Sequence, residues 1–245
     1  MKFAARACSA LFACSVLLPA GFINFDDVTG PVNTRVVQQS NHYSAQGVLI
    51  QTIQNATDGL QVGDIFTATP RDDGFGVGAF ATVNAATASS APNFAVAHHV
   101  ICDPTCRAVF ASDELLFSFD TPVASASLVT DTANPEAADV VRLIALKRLG
   151  GNQYQILAIT SGLDNATSFP ANQLQVAVDG GFTDLLFETT TEAEGIDNLT
   201  FSEVPEPSTI SLALAGAAAI LIRGYSSRRI ASAASSTERS RNRCS

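Results

Sequence analysis

The sequence predicts an all-β chain, an antiparallel β-sandwich of jelly-roll type flanked by an N-terminal signal peptide and a C-terminal hydrophobic helix. Three observations predict it. The interior is rich in Val, Ile, Thr and Phe and shows no sustained helical period. Two runs alternate cleanly: "LLFSF" places Leu115, Phe117 and Phe119 on one face, and "QLQVAV" places Leu174, Val176 and Val178 on one face. Turn signals at short intervals, "DTP" at Asp120, "GG" at Gly150 and "DGG" at Asp179, separate the runs. Together they give roughly ten to thirteen strands, the number expected of one large antiparallel sandwich. About 180 residues suffice for a single core, and no linker or repeat interrupts the chain before Val204.

At the N-terminus, Lys2 and Arg6 lead into an almost uncharged apolar stretch, residues 7–18, followed by Pro19 and Ala20 before Gly21. That is the order of a secretory signal peptide, residues 1–20, with cleavage near Ala20. Its apolar core is shorter than the roughly 20 residues needed to span a bilayer. The ectodomain is then residues 21–203, with six basic against 21 acidic residues and a formal charge of −15. Such acidity argues against nucleic acid, whose phosphates require Lys and Arg, and is compatible with cations.

The first strand of the ectodomain is "FINFDDV" and the last is "GIDNLTF". Between them, "VVRLIAL" from Val140 and "YQILAI" from Tyr154 carry apolar residues on both sides, as strands inside a sandwich do. "GFGVG" at Gly74 lies in a β context and reads as a hairpin or bulge. Cys102 and Cys106 in "CDPTC" are the only cysteines of the ectodomain. The turn residues between them favour a disulfide in an exported chain; with His98 and His99 the same cluster has zinc-ligand chemistry. Strand parity carries Asp27 at the end of the first strand, and Asp197 at the start of the last, toward the apolar face. If those strands pair antiparallel, Asp27 and Asp197 meet at one rim of the core. With Asp26 and carbonyls near Asn198 they make a candidate structural calcium site. No other cofactor is expected.

Enzymatic readings find little. The chain has no GxSxG, HExxH, GxxxxGKS/T or GxGxxG pattern. Carboxylate pairs occur at Asp26/Asp27, Asp72/Asp73, Asp113/Glu114 and Glu192/Glu194. A glycoside hydrolase needs two carboxyls facing each other across a cleft, about 5 or 7–9 Å apart, and sequence neighbours on a strand point to opposite faces.

After the ectodomain come Pro205, Glu206 and Pro207, then Ser208 and Thr209, an Ala-rich apolar span at residues 210–222, and Arg223, Arg228 and Arg229. The prolines hold the strip extended. The arginines favour the cytoplasmic side, so the ectodomain lies outside. The span is barely long enough to cross a bilayer, leaving a plain anchor as the alternative to a processing signal. Residues 204–229 resemble the PEP-CTERM sorting signal of exopolysaccharide-producing bacteria, in which exosortase, an integral-membrane cysteine transpeptidase, acts on the tail. "GYSS" within the arginine cluster and the Ser/Arg-rich, disordered extension at residues 230–245 depart from that family's pattern.

Short pieces across residues 21–203, among them "INFDDV", "APNFAV" and "GIDNLTF", also resemble the lectin-like jelly-roll ectodomains that precede such tails. The resemblance implies a protein exported across the inner membrane to the cell envelope or the extracellular space, with exosortase as partner, transient membrane contact through residues 210–222, and a non-catalytic structural or binding role. The alternative is a carbohydrate-binding module for exopolysaccharide, although the ectodomain has no Trp and only Tyr43 and Tyr154 as tyrosines. A secreted glycoside hydrolase is the third reading.

Overall fold

The computed structural model describes residues 20–28, 31, 35–54, 59–72, 77–84, 93–97, 100–101, 107–108, 114–132, 139–164, 172–189 and 194–204. The chain divides into two units, Met1–Val204 and Pro205–Ser245, and every described residue belongs to the first. Residues 1–19 of the signal peptide, His98, His99, Cys102, Cys106 and the sorting tail from Pro205 on, with Glu206, Pro207, Arg223, Arg228 and Arg229, lie outside the described residues; Ala20 and Val204 are described, Ala20 within the first strand. Among the described residues no helix is long and apolar enough to cross a membrane.

Among the described residues thirteen strands follow one another: β1 (Ala20–Ile23), β2 (Arg35–Gln38), β3 (Val48–Ile53), β4 (Ile65–Thr67), β5 (Phe80–Asn84), β6 (Asn93–Ala97), β7 (Val100–Ile101), β8 (Arg107–Ala108), β9 (Glu114–Thr132), β10 (Asp139–Gly150), β11 (Gln153–Asp164), β12 (Asn172–Thr189) and β13 (Glu194–Glu203). A 3-10 turn, Ser44–Gln46, precedes β3. Eleven strands form one antiparallel sheet in the order β2-β5-β6-β13-β9-β12-β10-β11-β4, with β1 on β13 and β3 on β9; β7 and β8 pair by themselves.

Two long strands turn this sheet into a sandwich. The first half of β9 pairs with β3 and with the second half of β12; the second half of β9 pairs with β13 and with the first half of β12. The register of β9 against β12 shifts between Ala177 and Asp184, where both strands bend. Strands that switch layers at bulges make the corners of such folds. The "DTP" and "DGG" signals therefore mark corners inside β9 and β12 and not strand ends, while "GG" at Gly150 does close the β10–β11 hairpin. At the β12 corner Gly181 has φ +83°, and a Cβ there would fall on Val204 and on the carbonyl of Val123. Only glycine lets the bend close against the end of β13.

The main core fills the space between the layers. Leu115, Phe117 and Phe119 face it from one layer, as the alternation predicts, and Leu174 and Val176 from the other, with Val178 packed at its margin. Phe119 bridges to Phe201 of β13 at 5.0 Å between ring centroids. The alternate residues of the β9–β12–β10 layer, Leu116, Ile144, Leu146 and Leu186, form a second cluster under Phe66 and Ala68. This layer is covered on both faces, which explains the apolar continuity of "VVRLIAL".

Candidate functional site

The first and last strands pair antiparallel, as expected: Ala20 stands opposite Ser202 and Ile23 opposite Leu199. β1 nevertheless ends at Ile23, short of "FDDV", because Phe25 takes φ +60° while its ring remains fully buried. A bulky residue in that region bends the chain out of the strand. In β13 the parity breaks as well. Ile196 and Leu199 both reach the core, so one residue is absorbed between them, at Asn198 with φ +53°. Asp197 thus loses the parity with Leu199 and Phe201 that its predicted position required; it stands opposite Val129 and is fully buried.

The candidate calcium ligands already hold protein donors. Tyr43 OH donates to Asp27 Oδ1 at 2.7 Å, and His42 Nε2 lies 3.0 Å from Asp27 Oδ2. Asp26 accepts from Asn24 Nδ2 at 2.9 Å and from Asn93 N at 3.0 Å. Asp197 Oδ1 accepts from Asn198 N at 2.7 Å. Among the described residues no group of three or more His, Cys, Asp or Glu gathers around one point. Burial, then the hydrogen bond to Asp27 and the nearby Asp27 and Asp26 charges, push the Tyr43 phenol far above its ordinary pKa. Asn93, at the start of β6, fastens the bend after β1: its Nδ2 donates to Phe25 O at 3.2 Å and to Val28 O at 2.7 Å. Nothing in the sequence marks Asn93, because an Asn at a strand start is an ordinary turn residue.

Two ion pairs are set into the face that carries the second cluster. Arg142 Nη1 reaches both carboxylate oxygens of Glu188, at 3.0 and 2.9 Å, and its Nη2 donates to Leu60 O at 3.0 Å. Asp184, fully buried, accepts from Ser118 Oγ at 2.6 Å, Thr183 Oγ1 at 2.7 Å and Arg148 Nη2 at 2.5 Å. The bond to Asp184 raises the Arg148 pKa; burial and then the Asp184 charge raise that of Tyr154. Each acid here is held by an arginine and sits inside a packed face, so both pairs are structural.

The opposite layer presents a different surface. Its outer face carries two rows running across the strands: Phe22, Thr200, Ser127 and Gln175 from β1, β13, β9 and β12, then Ser202, Ser125 and Ala177. Phe22, Thr200, Gln175 and Ala177 are exposed and the serines half-buried, with Ser125 Oγ 2.7 Å from Ser202 Oγ. These rows hold no charged residue. Gln173 continues the face beyond Gln175, and the nearest charges on these strands are Glu203 and Asp179 at one end and buried Asp197 at the other. The face was invisible in the sequence because its residues come from four strands, none with a motif.

Of the four carboxylate pairs, only Asp26/Asp27 falls wholly among the described side chains, and its two carboxylates turn to different partners, Asn93 and Tyr43. For Cys102 and Cys106, the described neighbours Ile101 and Arg107 are cross-strand partners in the β7–β8 pair.

No protein-family model matches the chain, and no curated protein matches it. Among solved structures it is similar to the K2 cleaved adhesin domain of Lys-gingipain, at a TM-score of 0.35 and 9% identity, covering 75% of this chain and 99% of that one. It is also similar to the family 11 carbohydrate-binding module from Clostridium thermocellum, solved with a β-1,3-1,4-mixed-linked tetrasaccharide, at a TM-score of 0.28 and 11% identity, covering 76% of this chain and 98% of that one. At such scores neither neighbour's ligand carries over to this chain.

Proposed function

We propose that the chain is an exported protein of the cell envelope or extracellular matrix, released from the membrane by an exosortase, with a non-catalytic binding or structural role. The observation that carries the reading is the order Pro205-Glu206-Pro207, apolar span, arginines, set directly after the last residue of the sheet body. That residue, Val204, is fixed by its N–H to Pro122 O at 3.0 Å. A processing enzyme would then act on a Pro-Glu-Pro sequence that begins at the residue after Val204. In keeping with a non-catalytic role, the carboxylates of Glu188, Asp184, Asp26 and Asp27 are engaged by arginines, an amide and a phenol.

Mass spectrometry of the secreted protein tests the reading. The mature chain should begin near Gly21 and end between residues 205 and 209, and Glu206→Ala should leave uncleaved precursor in the membrane. Finding residues 210–245 intact on the mature protein, in a host that has exosortase, refutes it.

A further inference from the structure

We infer that the uncharged outer face of β1, β13, β9 and β12 is a binding face for a neutral polysaccharide chain. The solvent face of a sheet ordinarily carries interspersed charges that keep it soluble. This ectodomain has 21 acidic residues to place, yet the rows Phe22–Thr200–Ser127–Gln175 and Ser202–Ser125–Ala177 receive none. What they hold instead are hydroxyls and a carboxamide, each able to donate and to accept. Sugar hydroxyls need that pairing, and a bare anion or cation does not.

The four strands span roughly 15 Å at the usual strand spacing, room for a short oligosaccharide. Phe22, 57% exposed at one margin, offers the apolar surface on which the CH face of a sugar ring packs. Ser and Thr are short and stand on a paired sheet, so little side-chain entropy is lost when a ligand orders them. Charge selects the same occupant. A uronate-rich or sulfated chain would approach a body of formal charge −15 and be repelled; a neutral chain would not.

This inference rests on the proposed binding role and supplies its ligand class; the termini of the mature protein test export and processing separately, so the two can fail independently. The test is affinity electrophoresis of the secreted protein in gels containing neutral glucans, mannans or galactans, beside gels containing polygalacturonate or dextran sulfate. At least one neutral polysaccharide should retard migration, to the same extent at low and high salt, and the anionic ones should not. Phe22→Ala, Gln175→Ala and Ser127→Asp should each weaken retardation at least tenfold with an unchanged melting temperature. Val62→Ala, on an exposed residue elsewhere, should behave as wild type. Retardation by no neutral polysaccharide, retardation only by anionic ones, wild-type binding by all three face variants, or burial of the face in a dimer seen by light scattering would each overturn it.

Discussion

Replacing Arg142 by Met should strand a carboxylate inside the protein. The Glu188 side chain is 2% exposed and that of Arg142 13% exposed, and one guanidinium nitrogen meets both Glu188 oxygens. The pair stands directly cross-strand, Arg142 on β10 opposite Glu188 on β12, and Arg142 is held further by Leu60 O. Removing one partner of a buried pair typically costs about 3–5 kcal/mol. For a domain of this size that lowers the melting temperature by about 6–20 °C. Replacing both partners, Arg142→Met with Glu188→Leu, removes the stranded charge and should recover most of the loss, since matched apolar replacements of buried pairs are often neutral. Arg148→Met is the internal comparison. Its side chain is 44% exposed, and Asp184 keeps Ser118 and Thr183 as donors, so the loss should be smaller, about 1–3 kcal/mol. Urea unfolding followed by circular dichroism reads all four proteins. If Arg142→Met falls within about 1 kcal/mol of wild type, or the double variant is no more stable than the single, the pair behaves as a solvent-screened one.

Three further outcomes are expected. Both tyrosines of the ectodomain have pKa values raised by folding, so above pH about 10 the unfolded chain releases protons that the folded one keeps, and stability falls as pH rises; phenolate absorbance should therefore appear together with loss of the β-sheet signal, and independent titration of Tyr43 in the folded protein contradicts this. A Cys102–Cys106 disulfide should lower the mass by two hydrogens against the reduced protein, leave no free thiol on unfolding, and stabilise by no more than about 2 kcal/mol because the loop is short; stoichiometric zinc in the purified protein would instead assign the cluster to a metal. If Asp26, Asp27 and Asp197 share a calcium ion, calcium raises the melting temperature and Asp197→Asn blunts the rise, and identical melting curves with calcium and with chelator exclude the ion.

The alternating runs were legible because a sheet with one buried face imposes a period of two, and nothing disturbs it at Leu115, Phe117 and Phe119 or at Leu174 and Val176. What escaped the sequence lies where backbone geometry breaks that period. Asn198 absorbs one residue and turns Asp197 away from its predicted parity, and Phe25 leaves the strand by a conformation that its side chain disfavours. Asp120 to Pro122 and Asp179 to Gly181 carry the composition of turns, yet tertiary pairing on both sides carries β9 and β12 through them. The ion pairs escaped for another reason. Arg142 and Glu188 are 46 residues apart, and only the register of β10 on β12 makes them neighbours.

The pairing of β1 with β13 also sets how the body answers force. Ala20 stands opposite Ser202, so the chain enters and leaves the sheet at the same end of two neighbouring antiparallel strands. Tension applied through both ends loads the hydrogen bonds between them one at a time, beginning at Ala20, and β1 peels away as a zipper opens. Tension through one end alone, with the other free, puts no such load on the seam. Gly21, packed under the Phe201 ring where a Cβ would collide, lies among the first residues to separate. A body tethered at both termini is thus mechanically soft at this seam, and cutting either tether removes the load from it.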